Sequence, residues 1–229
     1  ILTRELVQNA VDACNRKSVV PAITIEYAKD GTITVTDNGI GMTPNQIVDD
    51  FLTLGKSKKT NSGQTGGFGL AKAAIMAHKN WCVHTLDNYV DQDIVNASGE
   101  IAGMERRDGT QVSVKVDEGY DMDGIQKGMV WLAVSEVDVT VTTIDGTFKM
   151  GAQHSEFSRP VAQAAEHEDL KHTLYDTIDY TDGVGKHRLS GWSLVRLNGL
   201  VQFSEGIGGG FTGILVTDVT TDKAPGTTG

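Results

Sequence analysis

The first sixteen residues carry apolar and polar side chains at the period of an α-helix. One face is apolar and carries Leu2, Leu6, Ala10 and Ala13. Another face is polar and carries Glu5, Asn9 and Asp12. Because residues three and four apart lie on the same side of a helix, this pattern predicts an amphipathic helix over residues 2–16. Pro21 follows shortly afterwards and marks the end of the helix.

Alternation with a period of two follows the predicted helix. Residues 22–28 and 32–36 alternate β-branched or aromatic residues with polar ones, and a Lys-Asp-Gly turn at 29–31 separates them. This is the pattern of a β-hairpin. Thr43 followed by Pro44 is typical of a helix start. Further along, we expect helices at 44–53, 69–78, 122–135 and near 158–170, and strands at 81–86, 92–97, 111–116, 137–143, 190–196, 199–203 and 212–219.

These elements indicate an α+β fold, because the strands do not alternate strictly with helices. The chain has 229 residues, enough for one large domain or two modest ones. A shift in composition near 145–157 is the best candidate for a domain boundary. Residues 55–67 are rich in Gly, Ser, Thr and Lys without apolar periodicity, which predicts a mobile loop.

Composition and charge narrow the class of protein. Hydrophobic residues make up 39% of the chain, and no apolar run approaches the roughly 18 residues of a membrane helix. We therefore expect no membrane association. Cys14 and Cys82 lie outside any CxxC motif and are expected to be free thiols of a cytoplasmic protein. The net charge of −10 disfavours phosphate contacts, so nucleic acid is expected to bind only through parts not in this chain.

The polar face of the first helix has the residue types of a metal and hydrolysis site. An amide oxygen, here that of Asn9, can ligate Mg²⁺. A carboxylate one turn away, here that of Glu5, can order and deprotonate an attacking water. The alternative is a solvated helix face with no chemistry.

A glycine-bearing loop follows the second predicted strand. Asp37 stands at the end of the strand, and the loop continues as Asn38-Gly39-Ile40-Gly41-Met42. The glycines let the backbone approach a flat ligand, and the carboxylate can accept a hydrogen bond from an exocyclic amine. Met42 offers a polarisable surface for a ring. The alternative is a plain Asp-Asn-Gly turn.

Two further glycine motifs lie downstream. Residues 63–71 read Gly-Gln-Thr-Gly-Gly-Phe-Gly-Leu-Ala and open the predicted helix at 69–78, an arrangement that can present backbone N–H groups to phosphates. A basic run at 56–59 precedes them. The motif is neither a Walker A loop nor a Rossmann fingerprint. Gly109-Thr110 precedes the strand at 111–116, and alone such a pair is usually only a turn.

The order and spacing of these four motifs resemble the GHKL ATPases, the family of gyrase, the large heat-shock chaperone, histidine kinases and MutL. The resemblance covers residues 2–116 and continues through 122–143. It is greatest to the chaperone and MutL branches. It implies a Bergerat-type sandwich, a mixed sheet backed by helices, as an ATP-binding domain over residues 1–148. It also implies that residues 149–229 form a smaller α/β transducer-like region. Family members carry a segment before the first motif helix, so we expect either that this segment is missing from the chain or that the chain is a fragment of a longer protein.

The resemblance also implies a role for each matching residue. Glu5 is implied as the general base and Asn9 as the ligand of Mg²⁺. Asp37 is implied as the acceptor of the adenine amine. The remaining residues implied to hold ATP are Asp12, Gly39, Gly41, Met42 and Thr110 around the adenine, and Lys56, Lys58, Gly66, Gly67, Phe68, Gly69 and Leu70 around the phosphates.

The function so implied is Mg²⁺-dependent ATP binding with slow hydrolysis, which drives lid closure and dimerisation of a larger protein. The expected partners are ATP and a second copy of the chain or a larger assembly. Two alternatives stay open at this point. One is a nucleotide-binding or structural module that does not hydrolyse ATP. The other is the ATPase subunit of a DNA topoisomerase or of a mismatch-repair-like machine.

Overall fold

The computed structural model describes residues 2–52, 73–97, 99–116, 129–163 and 170–219. The chain forms two compact units. The first comprises Ile1–Thr60, Gly66–Asp121 and Thr140–Gly146, and the second comprises Asn61–Thr65, Met122–Val139 and Thr147–Gly229. The functional assignment of residues 1–148 and 149–229 to an ATP-binding domain and a transducer region stays a prediction.

The first unit is built on helix α1, Leu2–Lys17, and on one large sheet. The strands of that sheet are β1 Ile23–Tyr27, β2 Thr32–Thr36, β3 Asn80–Thr85, β4 Asn88–Asp91, β5 Ala102–Gly103, β6 Thr110–Lys115, β7 Val139–Thr143 and β8 Gly146–Met150. Their order is β5-β4-β3-β6-β2-β1-β7-β8. Val139 of β7 and residues 147–150 of β8 are assigned to the second unit.

The alternating strands place one set of side chains against the helices. In β1 the buried residues are Ile23, Ile25 and Tyr27, and in β2 they are Ile33 and Val35. A fully buried aliphatic side chain contributes about 1.5–3 kcal/mol, so this face fixes the register of the hairpin. Helix α1 packs on β1 and β2, and its buried residues include Leu6, Val7 and Ala10.

Two short helices, besides the helical residues 73–76, belong to the described part of the first unit. Helix α2, Pro44–Gln46, starts at Thr43, whose side chain and that of Gln46 form a capping box. It continues as a π-helical segment, Ile47–Leu52, so the predicted start at Thr43 is confirmed. Helix α3, Gln92–Asn96, follows β4 directly.

The strand predicted at 92–97 is wrong. The strand of this region is β4, which ends at Asp91, and the Asp91 side chain accepts a hydrogen bond from Ile94 N at 2.9 Å. An aspartate in this position satisfies a free N–H of the first turn and starts a helix. Of the helix predicted at 69–78, residues 73–76 are helical and 69–72 lie outside the described residues.

The second unit holds helix α4, Val130–Val134, and two sheets. The larger sheet has the order β10-β11-β16-β14-β15, and the smaller has the order β13-β12-β9. These strands are β9 Glu156–Phe157, β10 Pro160–Gln163, β11 Leu170–Tyr175, β12 Ile178–Thr181, β13 Lys186–Leu189, β14 Trp192–Leu197, β15 Leu200–Gly206 and β16 Ile214–Val219. One hydrophobic cluster from α4 and both sheets forms the core, with Val134, Ile178, Leu194 and Ile214 fully buried.

The helix predicted near 158–170 is wrong at both of its described ends. Pro160–Gln163 is strand β10 and pairs antiparallel with β11. Pairing with the next strand along the chain overrides the helical preference of this alanine-bearing segment. The strands predicted at 190–196, 199–203 and 212–219 correspond to β14, β15 and β16. The fold is α+β, as predicted. None of the helices in the described residues is both long enough and apolar enough to cross a membrane.

Candidate functional site

The Asp37 carboxylate is held by backbone groups at the end of strand β2. Asp37 N donates to Thr110 O at 2.9 Å, and Thr110 N donates back to Asp37 Oδ1 at 3.2 Å. Gly39 N also donates to Oδ1, at 2.7 Å. Gly109 has a φ of +67°, and a Cβ there would lie 2.1 Å from Asp37 O. Only glycine therefore fits where this turn meets Asp37.

Burial dominates the protonation of this carboxyl group. Asp37 is 7% exposed, and burial raises its pKa from 3.8 to about 6. Hydrogen bonds from Gly39 and Thr110, followed by the positive charges of Arg107 and Lys17, act in the opposite direction. Both hydrogen bonds end on Oδ1, so Oδ2 is the oxygen available to a ligand.

Helix α1, the Asp37 loop and strand β6 line one cavity. Its lining residues are Leu6, Asn9, Ala10, Ala13, Arg16, Val35, Asp37, Gly41, Met42, Phe51, Ile75, Thr110 and Val112. Apolar walls with a few convergent polar groups are typical of a small-molecule site. The cavity measures about 60 Å³, which is less than the ~300 Å³ of a typical ligand pocket. A bound base must therefore displace side chains, and Met42, with three rotatable bonds, is suited to move.

The structure brings five of the predicted residues together around this cavity, namely Asn9, Asp37, Gly41, Met42 and Thr110. Gly39 does not line it. A Cβ at Gly39 would lie 2.6 Å from Ala13 C, so this glycine allows the loop to touch α1. Glu5 and Asp12 are both buried on α1, at 8% and 6% exposure, and neither lines the cavity.

The Asn9 side chain has an unused acceptor. Its Oδ1 is buried and has no hydrogen-bond partner in the part of the chain that the structure describes. A buried acceptor without a partner costs about 1–3 kcal/mol, and it is usually explained by a ligand, a water or an ion. An amide oxygen is a ligand type that Mg²⁺ accepts. Within the described residues, no cluster of His, Cys, Asp and Glu could hold a metal ion alone.

Sequence reasoning missed Thr85, which ties three parts of the site together. Thr85 is fully buried at the end of β3. Its Oγ1 accepts from Met42 N at 2.9 Å, donates to Gly109 O at 3.2 Å and lies 3.0 Å from Thr110 Oγ1. A single threonine at a strand end gives no signal in a sequence. Its partners become visible only when β3 and β6 are paired.

The residues predicted to hold the phosphates all lie outside the described residues. They are Lys56, Lys58, Gly66, Gly67, Phe68, Gly69 and Leu70. Their roles stay predictions.

Comparison with known proteins finds curated relatives that match part of the chain. The Chaperone protein HtpG of Alcanivorax borkumensis is 39% identical over 71 residues, which cover 25% of this chain and 12% of that protein. HtpG of Francisella tularensis subsp. novicida is 29% identical over 143 residues, covering 56% of this chain and 22% of that protein. HtpG of Methylibium petroleiphilum is 22% identical over 211 residues, covering 81% and 33%.

This chain thus spans no more than about a third of the length of these curated relatives. The family model described as "Histidine kinase-, DNA gyrase B-, and HSP90-like ATPase" matches residues 1–120. That match takes in α1, the Asp37 loop and the Gly109–Thr110 turn, the elements that build the cavity. The chain belongs to this family of ATPases.

Proposed function

We propose that this chain binds ATP with Mg²⁺ and hydrolyses it slowly, and that the cycle closes a lid and dimerises a larger protein. The observation that carries the proposal is the hydrogen bonding of the Asp37 carboxylate. Two backbone N–H groups occupy Oδ1, and the carboxylate lines a cavity with apolar walls. Oδ2 is then left to accept the exocyclic amine of adenine, with Met42 against the ring.

Asn9 fits the role of the Mg²⁺ ligand. Its buried Oδ1 lacks a partner among the described residues, and it lines the same cavity as Asp37. When bound, Mg²⁺ would neutralise charge on the phosphate oxygens. Glu5 precedes Asn9 by one turn of α1, and its carboxylate is the candidate base for the attacking water.

The remaining assignments rest on the resemblance. Asp12 would help to hold the adenine side through water. Residues 66–70 would cradle the phosphates, and Lys56 and Lys58 would reach them. The second region would act as a transducer, and the protein would work in the cytoplasm as a homodimer or in a larger assembly.

The matched relatives favour a chaperone-like role over the alternatives. All three relatives described above bear the name Chaperone protein HtpG. A topoisomerase or repair role would need nucleic-acid contacts, which the net charge of −10 disfavours. The other alternative, a module that binds nucleotide without hydrolysing it, differs from the proposal only in the absence of ATP hydrolysis.

Nucleotide binding is tested with the variant Asp37→Asn and calorimetry with ATP and Mg²⁺. The two N–H groups on Oδ1 still require an acceptor, so the amide NH₂ of asparagine must take the place of Oδ2. It would face the adenine amine, donor against donor, and an unpaired buried donor costs about 1–3 kcal/mol. We expect affinity to fall roughly ten- to hundredfold. The matched control is Asp145→Asn, which removes the same charge from an exposed position between β7 and β8. Equal affinity in Asp37→Asn and the unmodified chain would refute the adenine assignment.

Hydrolysis is tested with Glu5→Gln, followed as phosphate release. The variant keeps the size of the side chain but cannot take a proton from water. Loss of a general base lowers turnover by roughly 10²–10⁴-fold, whereas ATP affinity should stay within about twofold because Glu5 does not line the adenine cavity. Glu26→Gln, on an exposed position of β1, is the control. Unchanged phosphate release in Glu5→Gln would remove Glu5 from the mechanism.

A further inference from the structure

Thr85 and Thr110 face each other across two paired strands beside the cavity. Thr85 is the last residue of β3, Thr110 is the first residue of β6, and the two are register partners. Thr85 is fully buried and Thr110 is 8% exposed. Thr110 lines the cavity, whereas Thr85 does not. Their hydroxyl oxygens lie 3.0 Å apart, so one hydroxyl donates a hydrogen bond to the other.

The surroundings of Thr85 Oγ1 decide which hydroxyl donates. Met42 N donates to Thr85 Oγ1 at 2.9 Å. The carbonyl oxygen of Gly109, which can only accept, lies 3.2 Å from the same hydroxyl. A threonine hydroxyl has one proton and two lone pairs. All three contacts are hydrogen bonds only if the Thr85 proton goes to Gly109 O, while its lone pairs accept from Met42 N and from the Thr110 hydroxyl.

The opposite arrangement would leave two acceptors in contact. If Thr85 donated to Thr110, a lone pair of Thr85 Oγ1 would face Gly109 O at 3.2 Å without a proton between them. Two buried acceptors that meet without a donor are unfavourable. Leu86 N also donates to Gly109 O, at 3.3 Å, but a carbonyl oxygen has two lone pairs and can accept from both donors. The Thr110 proton is therefore committed to Thr85.

We propose that Thr85 is a positioning residue of the adenine site, which takes the only proton of the Thr110 hydroxyl and leaves Thr110 to act on the ligand as an acceptor. The inference rests on the proposed function. Asp37 Oδ2 is an acceptor as well, because the two N–H groups bind Oδ1. Asp37 and Thr110 line the same cavity. Together they select a base edge that carries an exocyclic amine and reject one that carries a carbonyl in its place.

Donor groups also line the cavity, and the test has to separate them from this effect. Arg16 on α1 is exposed and its guanidinium carries donors only, whereas the Asn9 amide carries donors and an acceptor. Both side chains are the same in every variant of Thr85. Their contribution therefore cancels when the preference for one nucleotide over another is compared between such variants.

The test compares Thr85→Val with Thr85→Ser by calorimetry, using ATP and ITP, which carries a carbonyl where ATP has its amine. Valine keeps the shape of threonine without the hydroxyl, and serine keeps the hydroxyl. In Thr85→Val the Thr110 proton is free to turn towards the ligand and donate to the carbonyl. We expect the preference for ATP over ITP to fall about tenfold in Thr85→Val, the worth of one hydrogen bond, and to be retained in Thr85→Ser.

The matched control is Thr34→Val. Thr34 Oγ1 and Ser113 Oγ form another hydroxyl pair between strands, 3.0 Å apart, and neither residue lines the cavity. The preference for ATP should be unchanged in this variant. Thr85→Val also deprives Met42 N of its acceptor, and this structural loss lowers the affinity for both nucleotides alike. An equal fall for ATP and ITP, with an unchanged ratio, would overturn the proposal.

A second measurement depends neither on nucleotide binding nor on the folding of a variant. Neutron diffraction from crystals of the free, unmodified chain after exchange into D₂O locates the deuteron between the two threonines. A deuteron carried by Thr110 and directed at Thr85 supports the inference, and one carried by Thr85 and directed at Thr110 overturns it. If ATP does not bind the unmodified chain while the deuteron lies on Thr110, the proposed function fails and the direction of the hydrogen bond stands.

Discussion

At the scale of single residues, the ionised Asp37 carboxylate that is proposed to bind adenine also lowers the stability of the folded chain. Its pKa in the folded chain is about 6, against 3.8 for the free side chain. Because the folded pKa is raised, the folded state binds a proton more tightly than the unfolded state does. The resulting stabilisation is complete below about pH 4 and is lost as the pH rises through 6. Above that range the ionised carboxylate lowers the free energy of unfolding by about 3 kcal/mol.

Asp37→Asn should therefore stabilise the free protein at high pH. Asparagine is neutral at every pH and can still accept the N–H groups of Gly39 and Thr110 through its Oδ1. We expect the variant to be more stable than the unmodified chain by up to about 3 kcal/mol at pH 8, with little difference at pH 4. Urea unfolding at the two pH values measures this. A stabilisation that is the same at pH 4 and pH 8 would contradict the raised pKa.

Five of the thirteen residues that line the cavity were identified from sequence because their types carry the chemistry. Asp37, Gly41 and Met42 belong to one contiguous motif, and Asn9 is recognisable from its spacing to Glu5. Thr85 was missed for a physical reason. It acts through partners far from it in sequence, Met42, Gly109 and Thr110, and a threonine alone has no pattern that points to those partners.

At the scale of elements, hydrophobic periodicity predicted helices and strands correctly where one face of the element is buried. The periodicity of α1 and of the β1–β2 hairpin predicted both within one or two residues, because the apolar face of each packs on the other. The capping residues Thr43 and Asp91 start helices in the structure. At Asp91 the sequence signal favours a strand, because the β-branched Ile94 and Val95 follow it.

The second unit was predicted only in part. Strands β14, β15 and β16 were expected, whereas β11 was not, and β11 pairs with β16, which lies far along the chain. Short strands such as β9 and β13 have few buried positions, so alternation hardly appears in their sequence. Their pairing decides the structure, and a single sequence does not show that pairing.

At the scale of the whole molecule, charge separates the branches of the family. The chain has 20 basic and 30 acidic residues, and duplex DNA is bound mainly through Lys and Arg at phosphates. Among the described residues, several cations are already paired, such as Lys17 with Asp108 and Lys115 with Asp30. These features favour a role that does not require this chain to contact DNA.

We therefore expect no measurable binding of duplex DNA by this chain, with or without ATP, at about 0.15 M salt. Fluorescence anisotropy of a labelled duplex measures this, with a basic DNA-binding protein as the positive control. Non-specific binders have dissociation constants of roughly 10⁻⁴–10⁻⁶ M under such conditions, so the titration has to reach the upper end of that range. Binding that weakens steeply with added salt would reveal a local basic surface strong enough to overcome the net charge of −10. That outcome would favour the topoisomerase or repair alternative over the chaperone-like role, whatever the ATPase assay shows.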